Sequence, residues 1–209
     1  MTNEVYFNEL EAVSLAASTE ASRYHICGIL IEQYSNGATR LVATDGHRLH
    51  MITKGEVAAD DMPVISATLP NAAFKKLKVL RAMAIKNIGR PNKQNLITTP
   101  MLITISEGYI TISIKHVADI TEAAIDGNFP DYRRVIPSND AYENAPSRGC
   151  YNPKYLADFG KASELLGVRN CGIIVTNHNS GTGAARLEIN DSDYAHFSGV
   201  VMPIKNFTK

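Results

Sequence analysis

A repeated order, one helix and then strands folded back on polar turns, constrains this chain more than any single motif. "ICGILIEQYSNGATRLVATD" (26–45) carries β-branched residues on both sides of Asn36-Gly37, which predicts a hairpin with a type I′ turn. "MLITISEGYITISIKH" (101–116) repeats the idea around Glu107-Gly108. Its second arm sets Ile110, Ile112 and Ile114 on one face and Tyr109, Thr111 and Ser113 on the other. "GIIVTNHNSGTGAARLEI" (172–189) is a third pair joined by a polar, Gly-rich loop. Helices are expected at 4–18, at 71–88 with Asn71 as N-cap, and at 152–166. In the last, Asn152 caps, Pro153 opens and Gly167 stops the helix.

A helix therefore precedes a group of strands three times, at about 1–60, 61–136 and 145–209. "SATLPNAAFKKL" and "RGCYNPKYLADF" share the layout of extended entry, cap and helix. Such repetition suggests modules stacked side by side rather than one closed core. "SNDAYENAPSRG" (138–149), with a Pro and a Gly, reads as a linker. The fold class expected is α+β, with three helix-plus-antiparallel-sheet modules.

Composition excludes several function classes. With 44% hydrophobic residues, a chain of 209 can bury a core, and no window approaches the roughly 18 consecutive apolar residues of a membrane span. "MTNEVYFNEL" lacks the basic-then-apolar order of a secretory signal. Cys27, Cys150 and Cys171 are odd in number and far apart, which fits a reducing cytoplasm. No membrane partner and no cofactor are expected.

"LVATDGHRLHM" (41–51) raises the question of catalysis, because Asp45 and His47 flank a Gly turn. No nucleophile elbow, His-Glu-x-x-His helix or paired Cys-x-x-Cys accompanies them, and the six histidines have no metal-ligand spacing with the cysteines. The "GTGAA" at 181–185 has no Gly-Lys-Thr after it, so it is a poor phosphate cradle. A surface that shapes a binding site is the better reading, and the chain is not expected to be an enzyme.

Charge points to one segment. The formal net charge is zero, yet residues 71–90 hold Lys75, Lys76, Lys78, Arg81, Lys86 and Arg90 with no acid. On a helical wheel Phe74, Leu77, Leu80, Ala84 and Ile88 share one side, and Lys75, Lys78 and Lys86 share the opposite arc. The ordinary reading is a solvated face. The absence of acids favours phosphate attraction, which is sequence-independent and salt-sensitive. "FPDYRRVIP" (129–137) and "GVVMPIKNF" (199–207) each join a proline to apolar residues at element ends. They are either strand termini tucked into a core or the walls of a groove for a partner's peptide.

Taken in order, "SRYHICGILIE", "LVATDGHRL", "DGNFPDYRRVIP", "YNPKYLADFGKA" and "VVMPI" resemble the bacterial DNA polymerase III β sliding clamp. The resemblance implies the DNA clamp fold of a replication processivity factor. Residues 1–136 would correspond to the middle domain, 137–147 to a linker and 148–209 to half of the C-terminal domain, with the family's first domain and the first half of its last unmatched. It implies a cleft for short linear motifs. One wall is Ile26, Thr44, Gly46, His47, Arg48 and Leu49 with Pro130, Arg134 and Val135, and the other is Val200, Met202 and Pro203. Arg23, Tyr24 and His25 match a loop that can touch DNA, while Lys75, Lys76, Lys78 and Lys86 lie on a helix expected to face the hole of a ring. The tail "IKNFTK", with Phe207, could cover or extend the cleft. Implied partners are double-stranded DNA, DNA polymerase and other clamp-motif proteins, a clamp loader and further copies of the chain. Three modules against a ring of twelve give a head-to-tail homotetramer. The competing reading is a clamp-like binding module that never encircles DNA and serves as decoy, adaptor or inhibitor.

Overall fold

The computed structural model describes residues 4–58, 61–87, 100–114, 118–144, 149–168 and 172–204, with backbone alone at 83–87. Arg90, Cys171, Ile88 and Phe207, and the side chains of Ala84 and Lys86, lie outside the described residues. The elements in order are β1 (Glu4–Tyr6), α1 (Phe7–Ser14), β2 (Gly28–Gln33), β3 (Thr39–Thr44), β4 (Arg48–Lys54), β5 (Ile65–Pro70) and α2 (Asn71–Asn87). They are followed by β6 (Pro100–Ser106), β7 (Tyr109–Ile114), β8 (Ala118–Ala123), α3 (Pro153–Leu166), β9 (Ile173–Thr176), β10 (Ala185–Ile189) and β11 (Phe197–Val201).

Two antiparallel sheets result, a four-stranded one in the order β1-β6-β7-β8 and a seven-stranded one in the order β5-β2-β3-β4-β11-β10-β9. The larger sheet spans distant sequence. β4 of the first module pairs with β11 of the third, Leu49 opposite Val200 and Arg48 opposite Val201. Behind it α1 packs on α3, and Leu10, Val13, Phe159, Ala162 and Leu166 join one apolar cluster with the inward residues of both sheets. The modules do lie side by side, but they share this core instead of keeping separate ones. The seam is tight. A Cβ on Gly199 would stand 2.7 Å from the Leu49 carbonyl oxygen and 2.9 Å from the Phe159 ring, so the third module's helix approaches the sheet only because residue 199 has no side chain.

Local chemistry explains most of the elements. Asn152 Oδ1 accepts the Lys154 N–H, Pro153 opens α3, and Gly167, at φ 100°, returns its N–H to Glu164 and Ser163. The Glu107-Gly108 turn has both residues at positive φ, 50° and 80°, as a type I′ turn requires. The Asn36-Gly37 hairpin differs from expectation. Gly37 alone has positive φ, the Gly37 N–H donates to Tyr34 O, and Asn36 Oδ1 takes the Ala38 N–H. That is a three-residue loop with the glycine at its left-handed position.

Three further expectations are corrected. Residues 4–6 form a strand, because Val5 is buried opposite Met101 and that tertiary pairing overrides helical propensity. Asn71 lies inside α2, and its side-chain amide donates to Ser18 O instead of capping. The polar stretch after 137 holds a 3-10 turn, Asn139–Tyr142, whose buried Tyr142 lies beneath the Arg186 guanidinium, so that part of the linker is fastened to β10.

Candidate functional site

The outer face of the larger sheet bears a second apolar cluster of Leu30, Val42, Leu49, Tyr132, Ala184 and Val200, with Met51, Phe129 and Ile136 packed against it. Neighbouring strands supply Leu30, Val42, Leu49, Met51 and Val200, because alternation along β2, β3, β4 and β11 turns every second side chain outward, and the connecting segments add Phe129, Tyr132, Ile136 and Ala184. Leu49 and Val200, from the two expected walls, are thus adjacent in one floor. The walls are also joined by backbone, since the Met202 N–H donates to His47 O at 2.9 Å.

The turn before β4 is built by its own side chains. Thr44 Oγ1 accepts the Gly46 N–H and donates to Arg48 O, and Gly46 has φ 88°. Asp45 Oδ1 accepts the His47 and Arg48 N–H groups, and Oδ2 accepts Arg48 Nε at 3.2 Å. Asp45 is therefore committed to holding the turn, and its carboxylate bonds the His47 backbone N–H. Arg48 is buried. Its guanidinium pairs with Asp158 of α3, donates to Leu15 O at 2.7 Å and stacks 4.7 Å from the Tyr155 ring. His47 is exposed and lies parallel to the same Tyr155, with ring centroids 6.3 Å apart. Sequence reasoning missed Tyr155 and Asp158. Their spacing on one helical face was visible, but the arginine that gathers them lies 110 residues earlier for Asp158.

The 130–135 part of the first wall is pinned by a buried acid. Glu32, 3% exposed, accepts from Tyr132 Oη at 2.6 Å, Tyr34 Oη at 2.9 Å and Arg133 at 2.8 Å, while Arg40 donates to Tyr132 Oη. Burial, helped by the Glu32 carboxylate, pushes the Tyr132 hydroxyl far above its usual range, so it stays a donor. Tyr132 and Arg133 being anchored, Pro130, Arg134 and Val135 face outward; Val135 is 47% exposed and Arg134 pairs with Asp131. At the rim Met202 and Ile204 are 40% and 48% exposed beside Pro203, and Ile204 N–H is fixed to Cys150 O. Ile26 is buried at the foot of the 21–26 loop and belongs to neither apolar cluster.

That loop rests on the Asp45 turn and on Gly127, before Pro130. Arg23 Nη1 donates to Asp45 O at 3.1 Å, and Tyr24 and His25 crowd Gly127, where a Cβ would meet each at 3.2 Å. Tyr24 is 56% exposed. The basic helix is less free than its sequence suggested. Lys76 pairs with Glu122 at 2.6 Å, Lys78 with Glu11 at 3.0 Å, and Arg81 with Glu11 at 3.6 Å, so acids from β8 and α1 offset it. Lys75 is exposed.

A family model described as DNA polymerase III beta subunit, central domain, matches residues 1–131. The beta sliding clamp of Escherichia coli K12 is 32% identical over 134 residues, covering 62% of this chain and 31% of that protein. The beta sliding clamp of Caulobacter vibrioides is 29% identical over 145 residues, 67% of this chain and 34% of the relative. The match thus spans about a third of these curated relatives. Among solved structures, the beta subunit from the DNA polymerase of Streptococcus pyogenes superposes with a TM-score of 0.68 at 15% identity, over 98% of this chain and 66% of that one. A sliding clamp from Bartonella birtlesii, bound to griselimycin, gives 0.64 at 20% identity over 95% and 64%. These likenesses establish the clamp fold.

Proposed function

Because the chain belongs to the DNA polymerase III beta subunit family, matched through that family's central domain, we propose that it serves DNA replication in the cytoplasm as a sliding-clamp-type processivity factor without a catalytic step of its own. In this reading it docks short linear peptides of DNA polymerase and other replication proteins, a clamp loader among them, and contacts duplex DNA without regard to sequence. The single observation that carries it is the junction of β4 and β11, which turns two segments some 150 residues apart in order into one apolar floor with an exposed rim. An extended peptide would lay apolar side chains over Leu49 and Val200, against Met202 and Val135 at the rim and the His47–Tyr155 shelf at the side. Each side chain fully covered contributes about 1.5–3 kcal/mol. DNA contact would fall to Arg23, Tyr24 and His25, and to Lys75 on α2.

Fluorescence anisotropy with a labelled clamp-motif peptide tests the cleft. The wild-type chain binds and saturates, and Met202→Asp, which sets a carboxylate at the apolar rim, removes binding while leaving the melting temperature in place. A wild-type chain that ignores the peptide, or a Met202→Asp variant that binds it equally, refutes the assignment.

A second reading, a non-encircling module that captures the same peptides as decoy, adaptor or inhibitor, is favoured by the ion pairs that occupy Lys76 and Lys78. Retention on circular but not linearised DNA identifies encirclement, and equal retention identifies the module.

A further inference from the structure

The second module shows how the first strand after a module's helix is covered. The first module lies along the outer edge of β6: β1 pairs with it, Val5 stands opposite Met101, and Gln33 Nε2 donates to Ile103 O at 3.0 Å. Met101 and Ile103 are buried. In the third module β9 is the equivalent strand. Ile103 stands opposite Ile112 of β7, which stands opposite Ile120 of β8. Val175 of β9 stands opposite Leu187 of β10, which stands opposite Gly199 of β11. Val175 thus holds the place of Ile103, and Ile173 that of Met101.

No strand lies beyond β9 among the described residues. Val175 turns to the inner face with the buried Leu187, yet it is 37% exposed, and Ile174 on the other face is 42% exposed. The Asn190 N–H donates to Gly172 O at 2.9 Å, so antiparallel alternation turns the peptide groups of Ile174 and Thr176 toward β10. Those of Ile173 and Val175 face the open side. Nothing along Ile173–Thr176 keeps a further strand away. The four residues are all β-branched, with no charge and no proline among them.

The edge is also complementary to itself. Laid antiparallel on a copy with Ile174 opposite Ile174, it sets Ile173 of each chain opposite Val175 of the other. Both members of such a pair turn N–H and C=O toward the partner, so each pair exchanges two hydrogen bonds. The twofold axis then stands normal to the sheet, α3 of both copies stays on one side, and the exposed Val175 meets an inward isoleucine. A slip of one residue would bring inward side chains against outward ones.

We infer that β9 is an interaction edge whose occupant is β9 of a second copy of this chain, joined antiparallel into one continuous sheet. The contact is isologous and closes at two chains, unlike a head-to-tail ring. Four residues a side bury less than a standard interface, so pairing belongs to the micromolar range. β9 lies two strands from β11, and the inference does not rest on peptide binding, so its failure and that of the cleft are separable.

Sedimentation of the full chain from about 1 to about 100 µM tests it. The average mass of the wild type rises toward that of two chains and goes no higher. Ile174→Lys, which sets like charges face to face across the axis, and Val175→Lys each hold the mass at one chain. If Val175→Lys fails to give a cooperative melt, the exposed Ile174→Lys carries the comparison. A wild type that stays at one chain, a mass that grows past two, or an Ile174→Lys variant that folds and still associates overturns the inference. Amide exchange locates the contact, because the Ile173 and Val175 amides slow as concentration rises. If the mass doubles while those two amides exchange at an unchanged rate, another surface pairs and the inference falls.

Discussion

Replacing Arg48 by lysine keeps the charge and removes the fork, and the structure sets the size of the effect. The guanidinium makes three hydrogen bonds, to Asp45 Oδ2, Asp158 Oδ2 and Leu15 O, and lies over Tyr155. A lysine ammonium, a single point of charge on a flexible stem, cannot replace three separate guanidinium nitrogens that each hold a different acceptor. At least one hydrogen bond to a charged group is lost, about 1.5–3 kcal/mol, together with the ring contact, about 1 kcal/mol. Asp45 and Asp158 keep 19% and 25% side-chain exposure, so water rehydrates whichever is abandoned and holds the total near the middle of that range. A cost of about 3 kcal/mol lowers the melting temperature of a chain this long by about 6–12 °C. Arg48→Met, which leaves both acids without their cation, costs about 3–5 kcal/mol. Thermal melts followed by circular dichroism give these values, and peptide anisotropy on the same samples reports whether the His47 turn has loosened. An Arg48→Lys protein that melts within about 1 °C of wild type would refute the claim that this side chain ties α3 to the turn.

Two other outcomes follow from buried groups. His50, buried edge-on against the stacked rings of Phe159 and Phe197 with Nδ1 on Ala12 O, has its pKa lowered by burial from 6.5 to about 4. The unfolded chain therefore takes up the proton first, and His50's contribution is complete above pH 6.5 and is lost as pH falls toward 4. Urea titrations should show wild type losing about 2 kcal/mol more than His50→Gln between about pH 6.5 and about pH 5, and equal slopes would refute this. Tyr132→Phe removes the hydroxyl that donates to Glu32, so it should cost about 1.5–3 kcal/mol in chemical denaturation and weaken peptide binding through Pro130 and Val135. A variant as stable as wild type would show that Tyr34 and Arg133 suffice to hold Glu32.

Where local chemistry decides a feature, the sequence was readable. The Asn152, Pro153 and Gly167 signals bound α3 in the structure because each acts within a turn of its own position. The alternation of Ile110, Ile112 and Ile114 likewise gave the buried face of β7. Where a distant segment decides, reading failed in characteristic ways. Glu4–Tyr6 is too short to read as a strand from Val5 and Tyr6 alone and pairs with β6, which lies beside it. The acid-free run of α2 suggested a bare cationic face, whereas Glu11 and Glu122 arrive from elements before and after it. Of the candidate cleft, the strings around His47 and Met202 named segments that the structure brings together, and their contact depends on strand pairing that no local pattern specifies.

The contact that builds the candidate cleft is also one that holds the fold together. β4 and β11 supply the cleft floor on the outer face, while on the inner face the same pairing closes the core around Phe159, His50 and Phe197. Substitutions therefore separate by side. A change at Gly199 or Arg48 disturbs the seam and must lower stability and peptide affinity together, since the floor exists only while the strands pair. A change at Met202 or Val135, exposed at the rim, alters what a peptide meets without touching the ladder. Stability and binding measured on the same variants thus reveal whether the cleft is a surface added to a finished fold or a consequence of how the third module closes onto the first, and the position of Gly199 beneath the Phe159 ring argues for the second.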